Sequence, residues 1–140
     1  MFTHPNSLQG LSILIRYLHY QYKSGARGED GLIDCWGLTR LARHELYGRS
    51  MLPSFAEARY SRKGSVQKAY QKQAEQMHRT ERKDGAVIAV MRMGVCVHVA
   101  LMCGKMALEI KREGQSARLT PWREFARQYP APMWEVQFYD

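Results

Sequence analysis

Leu8, Leu11, Leu14, Ile15 and Leu18 recur at three- and four-residue intervals behind a polar Asn6-Ser7 pair. That spacing predicts a helix with a cap and a single buried stripe. Tyr22 follows its end. From Lys23 to Gly31 neither a helical nor a strand period holds, and Gly25, Gly28 and Gly31 stand among charged residues, so a loop is expected. A second helical pattern starts at Asp34, a good cap, runs through Leu38, Leu41 and Leu46, and stops at Gly48 with Pro53 beyond. Cys35 thereby falls in the first helical turn. Residues 56–83 are polar and basic, yet Val66, Ala69, Tyr70, Gln73, Ala74 and Met77 keep the helical rhythm. An amphipathic surface helix, acting as a connecting insertion, is expected there.

From Ala86 the period changes. Ala86–Met91, Val95–Met102 and Met106–Lys111 read as three short strands of a meander, separated by Arg92–Gly94 and Cys103–Lys105. Thr120-Pro121-Trp122 reads as a cap with proline at the first helical position, followed by a short helix to about Arg127. Trp134, Val136 and Phe138 alternate with Glu135, Gln137 and Tyr139 as a closing strand. Helices come first and sheet second, without βαβ alternation or internal repeat, so the expected class is α+β, in one domain over 1–140.

Composition narrows the function classes. An apolar fraction of 45% supplies a core and argues against disorder. Lys and Arg total 21 against 13 Asp and Glu, and the net charge of +8 favours an anionic partner without naming one. The apolar run Ile13-Leu14-Ile15 ends at Arg16, too short for a secretion signal or a membrane span. A cytoplasmic location on synthesis is the expectation. Three irregularly spaced cysteines, Cys35, Cys96 and Cys103, read as reduced thiols rather than a disulfide framework.

Cys35 is the most suggestive thiol, because a helix N-terminus stabilises a thiolate; the competing reading is a small buried core residue. His98 lies inside the apolar run Val95–Met102, where the ring needs a hydrogen-bond partner. It is the best candidate base, against a satisfied core histidine. If the loop after it has two residues, Cys103-Gly104 or Gly104-Lys105, Glu109 faces His98 or Ala100 and shares the histidine's sheet face. A carboxylate there can orient the imidazole, completing the nucleophile, base and orienting group of a triad. A loop of odd length makes Glu109 a surface charge. Cys96-x-His98 is not a usual zinc spacing and no CxxC pair exists, so no metal is expected. Gly25 and Gly28 fit no phosphate-loop pattern, and no cofactor is expected.

The segment Tyr22-Lys23-Ser24-Gly25-Ala26, then Gly31, Asp34-Cys35-Trp36-Gly37-Leu38, Tyr47-Gly48 and Leu52-Pro53, resembles the NlpC-type cysteine peptidases, especially their phage and prophage tail-associated branch. Asp84-Gly85-Ala86-Val87-Ile88 resembles that family's Gly-Asp-Val-Val strand, and His98-Val99-Ala100-Leu101 with Gly104 its histidine strand. The resemblance spans residues 8–139. It implies a papain-like fold, with the cysteine helix packed on a small antiparallel sheet, and hydrolysis of peptidoglycan stem peptides, often at the D-glutamyl to diamino-acid bond. It also implies Cys35 as nucleophile, His98 as general base, Glu109 in the third polar position, and Tyr22 with the Cys35 backbone N–H at the oxyanion site. Ala86, Ala100 and Glu109 depart from the residues usual at their places.

The expected partners are therefore a cell-wall peptide substrate and phage tail proteins. One alternative is a non-enzymatic tail-assembly or tail-tip component on the same fold. A weaker one is a nucleic-acid module built on the basic 59–83 segment, whose more ordinary explanation is a solvated helix face.

Overall fold

A computed structural model describes residues 7–53, 71–72, 75 and 77–140. The insertion expected at 56–83, with its proposed basic face, lies largely outside the described residues.

The chain starts with helix α1 (Leu8–Leu18), capped by the Ser7 hydroxyl, which accepts from the Gly10 N–H at 2.9 Å. Two short parallel strands, β1 (Gln21–Tyr22) and β2 (Leu32–Ile33), flank a loop that includes a 3-10 turn at Glu29–Gly31. Helix α2 (Cys35–Tyr47) starts at the Asp34 cap and stops at Gly48, whose φ of 64° closes it in the left-handed region. Strands β3 (Arg79–Thr80), β4 (Val87–Arg92), β5 (Val95–Cys103), β6 (Met106–Glu109) and β7 (Arg118–Pro121) follow, then helix α3 (Trp122–Arg127) and strand β8 (Trp134–Tyr139). The sheet order is β3-β8-β4-β5-β6-β7, antiparallel throughout. The fold is α+β, and the β4-β5-β6 meander is present as expected.

Both faces of the central strands are covered, which is why β4 and β5 read as almost unbroken apolar runs. Val87, Ala89, Met91, Val99, Leu101 and Leu108 join Leu38, Ala42 and Leu46 of α2 in one core layer. Ile88, Val90, Ala100, Met102 and Ala107 form a second layer with Phe125 of α3 on the opposite face.

Two expectations fail for identifiable reasons. Helix α1 buries Gly10, Leu14 and Tyr17, leaving Leu8, Leu11 and Ile15 exposed at 89%, 43% and 55%. At 3.6 residues per turn, the buried face lies roughly a quarter turn from the predicted stripe. The helix is oriented by polar contacts to α2 that hydropathy does not register: Arg16 pairs with Glu45 at 2.7 Å, and the Tyr17 hydroxyl also donates to Glu45. At the other end of the chain, Arg118–Pro121 is a strand paired with β6, and Pro121 is the helix cap rather than the first helical residue. A proline is compatible with β7 because that strand is an edge.

Candidate active site

The start of α2 is held by one carboxylate. Asp34 Oδ1 accepts from the Gly37 N–H at 2.8 Å, while Oδ2 accepts from Arg27 Nη1 at 2.7 Å and from the Gly25 N–H at 3.1 Å. Asp34 and Arg27 are both buried, so the ion pair joins the glycine-rich loop to the helix in a low-dielectric setting. Gly37 makes this approach possible. A Cβ there would sit 2.8 Å from Ile33 Cγ1 and 2.9 Å from the Ala26 carbonyl oxygen.

Cys35 is the first residue of α2 and is 7% exposed. Its thiol is pushed up to about 12, by burial first and by the adjacent Asp34 charge second. Hydrogen bonds to the sulfur from the Val99 and Trp36 backbone N–H groups, together with the Arg27 charge, lower it by less. The thiolate expected from the helix N-terminus is therefore not the resting form: burial outweighs the partial charge of a helix end. Cys96 and Cys103 are also buried and pushed up to about 12.

Tyr22 lies on the strand beside Ile33, half-buried. Burial raises its hydroxyl first, the nearby Cys35 and Asp34 raise it further, and a hydrogen bond with Ser24 lowers it by less, so Tyr22 is within electrostatic reach of the sulfur. In the loop between β1 and β2, a cavity of about 280 Å³ is lined by Ser24, Gly25, Ala26, Glu29 and Asp30.

The second half of the site is on β5 and β6. Leu101 pairs with Leu108, Met102 with Ala107 and Cys103 with Met106, leaving Gly104-Lys105 as a two-residue turn. Continuing that register sets Glu109 opposite Ala100, on the face of His98. His98 Nε2 lies 3.2 Å from Glu109 Oε1. Glu109 Oε2 accepts from the Thr120 hydroxyl at 2.6 Å and from Arg118 Nε at 3.3 Å. Glu109 is fully buried, and burial alone would raise its pKa. The hydrogen bonds from His98 and Thr120 and the nearby positive charges outweigh burial and hold the carboxyl below the usual carboxylate range. An anionic Glu109 requires His98 Nε2 to carry a proton, which makes Nδ1 the basic nitrogen of the neutral ring.

The structure thus pairs His98 with Glu109 and sets Tyr22 within electrostatic reach of Cys35. Between these two pairs stands the strand itself. His98 pairs with Val90, and its ring stacks near Phe125 at 6.5 Å between centroids, on the α3 side. The Cys35 sulfur meets β5 from the α2 side, at the N–H of the next residue, Val99. Among the described residues, no hydrogen bond joins the thiol to the imidazole. A break in register between Val90 and Met91 leaves Val97 as an extra residue just before His98, the kind of bulge that re-aims a neighbouring side chain.

Against known proteins, the chain matches no family model and no curated protein.

Sequence reasoning missed Arg27, Thr120 and Arg118. Arg27 sits in a loop without period, and the other two lie on β7, whose proline hides a strand. Among the described residues, no three of His, Cys, Asp and Glu gather as a metal-binding set.

Proposed function

We propose that the protein is a cysteine peptidase of the NlpC type, papain-like in fold, that hydrolyses peptide bonds of peptidoglycan stem peptides. The D-glutamyl to diamino-acid bond is its expected target, and a phage or prophage tail is its expected setting. The observation that carries the reading is the buried pair of His98 on β5 and Glu109 on β6, with His98 one residue from the point where the Cys35 sulfur meets β5. The resemblance of the Asp34–Leu38 and His98–Leu101 segments supplies the substrate class.

With a thiol raised to about 12, proton removal accompanies attack rather than preceding it. His98 Nδ1 takes the thiol proton as the sulfur bonds the scissile carbonyl carbon. The Cys35 backbone N–H, free of helical partners at the first position, and the Tyr22 hydroxyl receive the oxyanion. His98 then gives its proton to the departing amine as the C–N bond breaks, leaving a thioester. A water deprotonated by the same nitrogen opens it, releasing the acid and restoring the thiol. Glu109 stabilises the imidazolium in both halves. This cycle requires a rearrangement of β5 that brings the ring and the thiol to one side, because the strand stands between them at rest.

The resting separation of thiol and imidazole favours one second reading, a tail-assembly component that keeps the fold without catalysis. Digestion of purified peptidoglycan, with mass analysis of the released muropeptides, distinguishes the two. New fragments with the wild type and none with Cys35→Ala are expected. No fragments from either protein would leave the structural reading standing.

A further inference from the structure

A cleft of about 790 Å³ opens at the end of the sheet where β5 turns into β6, away from the candidate active site. Four cationic side chains, Arg82, Lys83, Lys105 and Arg123, line it together with Trp122 and Met102. From His98 to Met102 is four residues along β5, roughly 13 Å at strand rise. The three chain segments that form the cleft are tied by backbone hydrogen bonds. Trp122 N–H donates to the Lys105 carbonyl at 3.0 Å, Gly85 N–H to the Met102 carbonyl at 2.8 Å, and Met102 N–H to the Ala86 carbonyl at 2.9 Å. The one acidic residue in the lining, Asp84, is engaged structurally: its Oδ1 accepts from the Gly104 N–H at 2.6 Å and the Tyr47 hydroxyl at 2.5 Å.

The cations differ in their commitments. Lys83 pairs with Asp140 at 2.8 Å, and the Arg82 guanidinium lies 5.0 Å from the centre of the Trp122 ring. Among the described residues, neither Lys105 nor Arg123 has an ion-pair partner, and both are exposed. Like charges brought together on a fixed frame repel, and an anion relieves that repulsion. Guanidinium and ammonium donors suit the oxygens of phosphate groups, the arginines as planar forks and the lysines as point charges. The volume exceeds what phosphates alone need, and Trp122 with Met102 offers apolar wall to an organic portion.

We propose that this cleft binds an organic polyphosphate, with its phosphates on Lys105, Arg123 and Arg82 and its organic part against Trp122 and Met102. The phosphates belong to a free nucleotide or to a nucleic-acid chain, which share this chemistry.

Titration calorimetry at low salt tests it, with sodium pyrophosphate, ATP and a short single-stranded oligothymidylate as probes, and succinate as a carboxylate control. Pyrophosphate and ATP are expected to bind, ATP more tightly, with affinity falling as salt rises. The Lys105→Ala/Arg123→Ala variant, altered only at exposed positions, is expected to melt like the wild type and to bind each phosphate probe roughly tenfold or more weakly. Oligothymidylate binding more tightly than ATP would assign the phosphates to a nucleic-acid chain; the reverse order would assign them to a free nucleotide. Absence of binding by every phosphate probe, equal binding of succinate, or undiminished binding by a folded double variant would overturn the proposal. None of these results depends on peptidase activity.

Discussion

Glu109 is the residue whose replacement separates charge from shape most cleanly. Its carboxylate is fully buried and takes hydrogen bonds from His98, Thr120 and Arg118. Glu109→Ala strips the buried Thr120 hydroxyl and the His98 ring of their partner and leaves a void. Breaking a buried charged pair by removing one member costs about 3–5 kcal/mol. Arg118 adds little, because its side chain is half exposed. Glu109→Gln keeps an oxygen for His98 Nε2–H and offers its amide N–H to the Thr120 oxygen, which can turn from donor to acceptor. Only the charge component is lost, about 1 kcal/mol. In a chain of this size, a change of 1 kcal/mol moves the midpoint by about 3–4 °C. Thermal melts at neutral pH should therefore place Gln about 3–4 °C and Ala about 10 °C or more below wild type. The pH dependence supplies a second reading. A carboxyl whose folded pKa lies below its unfolded value contributes fully above the ordinary glutamate pKa of about 4.3, and the contribution is lost as pH falls through the lower folded value. The gap between wild type and Glu109→Gln should accordingly close on acidification below about pH 4.3. A gap that stays constant to low pH, or a Gln variant as unstable as Ala, would show that Glu109 is not held as the anion.

Three further outcomes follow from the site. Iodoacetamide at neutral pH should alkylate Cys35, Cys96 and Cys103 in the folded protein about a thousandfold more slowly than in the unfolded chain, because each thiol is pushed up to about 12; mass-mapped labelling of Cys35 at the rate of a free thiol would refute the raised value. His98→Ala should lose several orders of magnitude in muropeptide release while keeping a cooperative melt, and retained turnover would remove His98 as the base. Gly37→Ala should cost about 1–3 kcal/mol, since its Cβ would press on Ile33 and on the Ala26 backbone, and an unchanged chemical-denaturation midpoint would contradict that packing.

How much of this was legible in the sequence varies by element. Helix α2 could be read end to end because both its signals are local, the Asp34 side chain on the Gly37 N–H and the left-handed Gly48. The central strands were legible as apolar runs, though a run covered on both faces does not reveal which residues point where. The position of Glu109 on the His98 face followed from parity alone once the turn had two residues. Strands β1, β2 and β3 have two residues each, too few for any period to show. The orientation of α1 was hidden because its buried face is selected by Glu45 on another helix. The raised thiol of Cys35 was hidden for a related reason: sequence places it at a helix start, but only the packing of β5 over it removes water.

Strand β5 is a partition as well as a support. Its two sides belong to different core layers, so a residue change in the α2 layer and one in the α3 layer touch each other only through a single backbone. Pairs of substitutions drawn from opposite layers, such as Leu38 and Phe125, should combine additively, whereas pairs within a layer should not. The surroundings of the imidazole and of the thiol thus belong to two separate layers, and the register break beside Val97 lies on the one strand that both layers share.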